Sequence, residues 1–178
     1  MSRAVALLRA VNITTRPVKM ERLRGLFAEM GLTNVSTYIA SGNVLFDGDE
    51  PHAALEERIE AHLAGALGFE VTTFLRSPDE MATIAARQPF AAADREAAFG
   101  LMVAFLKTQS DEAATARLLA HRSDSDDFAV HGREVYWLRR AQQSDTNFSG
   151  ARLERAMKMP ATVRSITTVR KLAELAQV

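Results

Sequence analysis

Five polar side chains in the first quarter of the chain are of the types that bind anions. Arg9 and Lys19 supply positive charge, Ser41 supplies a hydroxyl group, and Asn12 and Asn43 supply amide groups. Guanidinium and ammonium groups pair with phosphate or carboxylate oxygens, and hydroxyl and amide groups add neutral hydrogen bonds. These residue types therefore indicate a site for a small anionic ligand.

Residues that would carry out catalysis or hold a metal are less evident. The chain has no cysteine, and its four histidines show no His-x-x-x-His spacing. None of its nine glycines falls in a Gly-x-Gly-x-x-Gly, Walker A or Gly-x-Ser-x-Gly pattern. We therefore expect no metal and no cofactor. An enzyme acting on an anionic metabolite stays open as an alternative, although Ser41, a conceivable nucleophile, has no histidine near it in sequence.

The composition is that of a globular protein. The 178 residues are 47% hydrophobic and 25% charged, which argues against disorder and against membrane spans. The apolar run at residues 4–8 is shorter than the roughly 7–15 residues of a secretory signal, and Arg9 ends it. We therefore expect a cytoplasmic protein. Neither the oligomeric state nor the identity of a ligand follows from the sequence.

The zero net charge conceals an uneven distribution of charge. Residues 1–46 carry a net charge of +4, residues 47–127 carry −9, and residues 128–178 carry +5. Overall neutrality argues against indiscriminate nucleic-acid binding. The two basic ends either converge to attract an anion or form ordinary solvated faces, and the sequence leaves both readings open.

The spacing of hydrophobic residues and turn signals predicts the order strand–helix–strand–strand–helix–strand, plus a trailing helix, twice. In the first occurrence of this order, the predicted elements span residues 4–11, 19–30, 35–40, 44–46, 51–67, 70–75 and 78–87. In the second, they span residues 101–106, 111–121, 128–130, 135–138, 149–158, 161–165 and 168–176. This order predicts an α+β fold (an α/β plait) of two ferredoxin-like βαββαβ halves, at residues 1–90 and 97–178.

Three pairs of residues that lie 90 positions apart favour a duplication. They are Gly42 with Gly132, Tyr38 with Phe128, and the cap candidates Ser77 with Thr167. In the predicted topology, the loop after the first strand and the hairpin at residues 41–43 lie at the same end of the sheet. The amino terminus of the first helix opens there too, and helix amino termini favour anions.

Aromatic residues on the predicted strands raise a third possibility, RNA or single-stranded nucleic-acid binding. Tyr38, Phe46, Tyr136 and Trp137 lie on the two hairpins, and ferredoxin-like sheets bind RNA by stacking bases on such residues. The basic Lys/Arg-Gly-aromatic pattern of RNA-binding strands is missing. Packing in the core is therefore the simpler reading.

Three segments resemble a bacterial family known as domain of unknown function 1697. Leu7-Leu8-Arg9-Ala10-Val11-Asn12-Ile13, followed by Lys19-Met20, is similar to the family's Leu-Leu-Arg-Gly-Ile-Asn-Val-Gly-Gly and Lys-Met. Residues 37–46, Thr-Tyr-Ile-Ala-Ser-Gly-Asn-Val-Leu-Phe, are close to Thr-Tyr-Ile-Gln-Ser-Gly-Asn-Val-Val-Phe. Residues 161–172 are similar to the family's Thr-x-Arg-Asn-Trp-x-Thr-Val-x-Lys-Leu.

The resemblance implies a two-part α/β fold and implies no activity. Its matched polar positions are Arg9, Asn12, Lys19, Ser41, Gly42 and Asn43 in the first half, and Thr162, Arg164 and Thr168 in the second. We hypothesise that both groups line one cleft. Thr14 and Thr15 replace the family's Gly-Gly, which predicts a stiffer loop and puts any inherited contact there in doubt.

Overall fold

The computed structural model describes residues 1–12, 15–142 and 146–178. In that part of the chain there are eight strands and seven helices. Their order is β1 (Ser2–Leu8), α1 (Met20–Glu29), β2 (Thr33–Thr37), β3 (Asn43–Gly48), α2 (His52–Leu67), β4 (Thr73–Arg76), α3 (Pro78–Ala86), α4 (Ala92–Ala97), β5 (Gly100–Leu106), α5 (Glu112–Leu119), β6 (Asp126–His131), β7 (Glu134–Arg139), α6 (Gly150–Met157), β8 (Ala161–Ser165) and α7 (Ile166–Ala176).

The strands form two four-stranded antiparallel sheets, so the fold is α+β as predicted. One sheet has the order β2-β3-β1-β4 and the other has the order β6-β7-β5-β8. The chain divides into two compact units: the first is Met1–Thr83 with Lys171–Val178, and the second is Ile84–Arg170. No described helix is long and apolar enough to cross a membrane. The predicted division at residues 1–90 and 97–178 stays a prediction.

Each sheet packs two amphipathic helices against one face. In the first unit, Leu23, Leu26 and Phe27 of α1 join Ile59 and other residues of α2 in a core over β1 and β3. In the second unit, side chains from α5 and α6 pack with the aromatic residues Phe128, Trp137 and Phe148. Burial of apolar surface in these two layers is the main stabilising contribution to each unit.

Several helix ends lie where the sequence predicts them. Gly31 and Gly68 adopt positive φ angles of 80° and 79° at the ends of α1 and α2. At the start of α3, the Glu80 backbone N–H donates to Ser77 Oγ over 3.1 Å, and the Ser77 N–H donates to the Glu80 carboxylate over 2.8 Å. This reciprocal pair is the predicted capping box.

Glutamates on the helix that precedes the edge strand of each sheet bind that strand. Glu56 and Glu60 of α2 accept the backbone N–H groups of Leu75 and Thr73, each over 2.8 Å. In the second unit, Glu154 Oε1 of α6 accepts the N–H of Ala161 over 3.0 Å. Because β4 and β8 are edge strands, these N–H groups have no neighbouring strand on that side. The carboxylates satisfy them instead.

Several boundaries differ from the predicted ones, and one helix was not predicted. Strand β1 ends at Leu8 rather than at residue 11, and β4 begins at Thr73 rather than at residue 70. Strand β2 ends at Thr37 rather than at residue 40, because the chain turns through residues 39–42. Thr167 does not cap α7: Ser165 does, through a 3.2 Å bond from the Thr168 N–H to Ser165 Oγ. The six-residue helix α4 was not predicted, since it buries none of its residues and so has no hydrophobic period to detect.

The equal spacing of 90 residues does not mark equivalent positions. At the ends of the central strands, Leu8 N–H donates to Gly42 O and Leu106 N–H donates to Arg133 O, each over 2.8 Å. The counterpart of Gly42 in the second hairpin is therefore Arg133 and not Gly132. The glycine and Ser77–Thr167 coincidences consequently do not support a duplication.

Candidate functional site

The polar segments predicted to meet at one end of the first sheet are joined there by main-chain hydrogen bonds. Leu8 N–H donates to Gly42 O over 2.8 Å, and Arg9 N–H donates to Thr72 O over 2.9 Å. The loop after β1 thus lies between the turn before β3 and the residues before β4. We call this region the sheet-end site and define it by Arg9, Asn12, Lys19 and the turn 41–43.

Asn12 holds the loop rather than presenting its amide to solvent. Its Nδ2 donates to Ala40 O over 2.6 Å, and its Oδ1 accepts the Val18 N–H over 2.6 Å. The side chain therefore ties the turn before β3 to the segment that enters α1. Asn12 itself has a positive φ of 59°, a conformation that asparagine tolerates better than most residues.

Asn43 and Gly42 are also part of the framework. Asn43 is fully buried, and its Nδ2 donates to Tyr38 O over 2.9 Å and to Ser41 Oγ over 3.0 Å. Gly42 has a φ of 85°, and a Cβ added there would lie 3.1 Å from Leu8 Cβ. Both residues shape the turn, so a direct ligand contact at either one has no support from the geometry.

Lys19 and Ser41 are the exposed members of the site, whereas Arg9 and Asn12 are half-buried. Lys19 lies at the start of α1, where its carbonyl accepts the Leu23 N–H over 3.0 Å. Thr14, also expected at this end, lies outside the described residues, and Thr15 is exposed.

The second group of predicted residues lies in the second unit and is packed inward. Arg164 is buried, and its Nη1 donates to Thr162 Oγ1 over 2.7 Å and to Val163 O over 3.0 Å. Burial lowers the pKa of Arg164 to about 10. At the start of α7, Thr168 Oγ1 accepts a hydrogen bond from the Ser165 hydroxyl group over 3.1 Å. That Thr162, Arg164 and Thr168 line one cleft with the sheet-end site stays a prediction.

A second buried arginine with the same geometry was not predicted from the sequence. Arg76 on β4 is fully buried, and its Nη1 donates to the carbonyl of the preceding residue, Leu75, over 2.8 Å. It lies opposite Val5 in the first sheet, as Arg164 lies opposite Val103 in the second. The sequence feature common to both arginines is an Arg-Ser dipeptide at the end of β4 and of β8.

The aromatic residues considered for base stacking are not arranged as an exposed platform. Phe46 and Trp137 lie in the cores of their units. Tyr136 is buried, and its hydroxyl group donates to Ile84 O over 2.7 Å. Tyr38 lies beyond the end of β2 and is half-buried. These four residues therefore offer no common stacking surface for a nucleic acid.

The described residues include no group of three or more histidine, aspartate or glutamate side chains placed to hold a metal ion. His131 lies on the β6–β7 hairpin, and Nη1 of Arg87, the residue after α3, is 3.4 Å from His131 Nδ1. Desolvation and the charge of Arg87 lower the pKa of His131. This arrangement favours the neutral imidazole and gives no metal geometry.

Two antiparallel four-stranded sheets, each with two helices on one face, define this chain as an α+β protein. The solved structure of the conserved bacterial protein SP0830 from Streptococcus pneumoniae has a similar fold, with a TM-score of 0.75 and 22% sequence identity over 100% of this chain and 99% of that chain. The model of a family described as protein of unknown function (DUF1697) matches residues 1–136. The chain belongs to that family, as its motifs predict. The third motif, at residues 161–172, lies beyond the matched range. No curated protein matches the sequence.

Proposed function

We propose that this protein binds a small anionic ligand, a phosphate or carboxylate compound, at the sheet-end site. The observation that carries the proposal is the joining of three separate segments at one end of the sheet, where Lys19 and Ser41 are exposed and Arg9 is half-buried. Arg9 and Lys19 supply charge, and Ser41 supplies a hydroxyl donor.

The start of α1 adds to the attraction for an anion. Lys19 occupies the N-cap position and its side chain makes no capping hydrogen bond. The first backbone N–H groups of a helix and its dipole favour negative charge. A shallow cavity of about 350 Å³ lies beside this helix end, lined by Lys19, Glu21, Arg22 and Gly25. Glu21 is the acidic member, so it opposes anion binding in that cavity.

The remaining predicted residues have supporting roles in this proposal. Asn12, Gly42 and Asn43 hold the loop and the turn so that Arg9 and Ser41 keep fixed positions. The wider hypothesis adds Thr162, Arg164 and Thr168, and it rests on their match to the family-like motif. Among these three, Thr168 is half-buried and the other two are buried, which makes it the one best placed to contact a ligand.

We also propose that the chain arose by duplication of a ferredoxin-like βαββαβ unit. Two matching features support this: the same strand order in both sheets, and a helix glutamate that accepts the first N–H of the outer strand, Glu60 for Thr73 and Glu154 for Ala161. The Arg-Ser dipeptides at residues 76–77 and 164–165 add a third. The outer-strand pairs Thr73–Ala161, Arg76–Arg164 and Ser77–Ser165 are each 88 residues apart, and the strand registers match Arg76 with Arg164.

The test is thermal stabilisation by defined anions at constant ionic strength, with inorganic phosphate and citrate as probes and chloride as reference. A ligand at a hundred times its Kd stabilises by about 2.7 kcal/mol, which raises Tm by about 5–10 °C for a chain of this size. Arg9→Gln and Lys19→Gln should remove the response, whereas Glu21→Gln should strengthen it. Arg170→Gln, at an exposed position, is the matched control.

The outcomes separate the alternatives. A full response in Arg9→Gln and Lys19→Gln would refute the sheet-end site. A folding defect in Arg9→Gln would show as a lowered Tm without ligand, and Lys19→Gln, which changes an exposed side chain, then decides the question. Recovery of the probe chemically unchanged after incubation distinguishes binding from turnover.

A further inference from the structure

A basic groove lies between α5 and α6 in the second unit, away from the residues discussed so far. Its volume is about 520 Å³, within the usual range for small-molecule sites. The lining residues are Arg117, Ala120, His121, Arg152, Arg155 and Ala156. Three arginines and a histidine thus surround a floor of two alanines, and the lining contains no carboxylate.

The arginines of this groove lack acidic partners in the described part of the chain. Among residues 1–12, 15–142 and 146–178, the side chains of Arg152 and Arg155 form no hydrogen bond or ion pair, and both residues are exposed. Arg117 is held in place, because its Nε donates to Ala156 O over 2.7 Å. Its terminal nitrogen atoms remain available to a ligand.

The first unit provides an internal comparison. Helices α1 and α2 occupy the places in the first unit that α5 and α6 occupy in the second: α1 and α5 follow the strands β1 and β5, and α2 and α6 precede the edge strands β4 and β8. On the surface of α1 and α2, however, charged side chains are paired. Glu29 binds both Arg22, at 3.8 Å, and His62, at 3.0 Å. Arg58 pairs with Glu50 and also donates to Met30 O. Like charges close together repel one another, and this cluster on α5 and α6 has no counterpart on α1 and α2.

We propose that this groove binds a phosphorylated ligand of nucleotide size. The phosphate group binds Arg152 and Arg155, with Arg117 beside them, because a phosphate monoester carries about −1.5 to −2 charge and accepts several charged hydrogen bonds. The uncharged part of the ligand lies over Ala120 and Ala156.

The surroundings of the groove support a ligand with more than a phosphate group. The His121 ring packs against Phe148 with a centroid distance of 5.5 Å, which gives it a fixed position at the rim. An adjoining concavity of about 260 Å³ shares His121 and Arg152 and also includes Ser123, Ser125, Thr146 and Asp126. Thr146 Oγ1 donates to the Asp126 carboxylate, so this carboxylate is already bonded within the protein, and the concavity extends the groove toward the uncharged part of the ligand.

The test is calorimetric titration of the full chain with AMP, adenosine and inorganic phosphate at constant ionic strength. AMP should bind, and adenosine should bind much more weakly. Arg152→Gln and Arg155→Gln should each weaken AMP binding about ten- to a hundredfold, the usual effect of losing a charged hydrogen bond. Ala120→Phe should abolish binding by filling the groove without changing its charge. Arg170→Gln should have no effect.

Each contrary result has a definite meaning. Equal binding of AMP and adenosine, or full AMP affinity in Arg152→Gln and Arg155→Gln, would overturn the proposal. Phosphate binding as tightly as AMP, or an oligoribonucleotide binding far more tightly, would overturn the assigned ligand class. The sheet-end site is tested separately, since Lys19→Gln leaves this groove intact and Arg155→Gln leaves that site intact.

Discussion

Replacing Gly42 with alanine tests the geometry of the sheet-end site. At a φ of 85°, an alanine in the left-handed region costs about 1–2 kcal/mol relative to glycine. The added Cβ would also lie 3.1 Å from Leu8 Cβ, 3.3 Å from Leu8 O and 3.3 Å from Val11 Cβ, which is tighter than ordinary contact. Overpacking at such a place costs about 1–3 kcal/mol. Gly42→Ala is therefore expected to lower the free energy of unfolding by about 2–5 kcal/mol in total.

The assay is urea unfolding followed by far-UV circular dichroism, with Gly31→Ala as the matched control. Gly31 has a similar φ of 80°, but a Cβ there would meet nothing within 4 Å. The control therefore isolates the conformational contribution of about 1–2 kcal/mol. If Gly42→Ala and Gly31→Ala lose the same stability, the close packing of the turn against Leu8 and Val11 contributes nothing, and the reasoning fails.

Three further predictions concern other backbone and side-chain positions. Ala10 has a φ of 60°, so Ala10→Gly should raise the free energy of unfolding in urea by about 1 kcal/mol, and a decrease would contradict this. Ser77→Ala removes the cap of α3 and should lower the free energy by about 1 kcal/mol, whereas Ser36→Ala, at an exposed position, should leave it unchanged. Burial raises the pKa of Tyr136 to about 12. Because folding favours the protonated phenol, its stabilisation is complete below pH 10 and is lost as the pH rises toward 12, by on the order of 2–3 kcal/mol. Urea midpoints measured from pH 9 to 12 should fall less steeply in Tyr136→Phe, and equal slopes would refute this.

The sequence predicted those elements whose local chemistry and burial agree. Gly31, Gly68 and the Ser77–Glu80 capping box were located because glycine and serine have distinct conformational and hydrogen-bonding roles at helix ends. The end of β2 was missed because Tyr38 and Ile39 have strong strand preferences, yet the turn places Ile39 at a φ of 49°. Tertiary structure overrides propensity at that point.

The candidate site was predicted in its location but not in the roles of its residues. Topology alone places Arg9 and the turn at one end of a sheet, and the main-chain bonds there agree. Residue type does not reveal that the side-chain amide groups of Asn12 and Asn43 donate to backbone carbonyl groups. Nor does it reveal the groove around Arg152 and Arg155, since that depends on which carboxylates reach them across two helices.

The glutamates on α2 and α6 have a consequence for association between molecules. An outer strand with free N–H groups is a template on which a strand from another chain can add, the first step toward aggregation. Glu56, Glu60 and Glu154 occupy those positions on β4 and β8 with their own carboxylates. An incoming strand would have to displace a negatively charged acceptor already bound. These side chains therefore protect the outer strands against uncontrolled growth of the sheets, and their loss should appear as aggregation before it appears as unfolding.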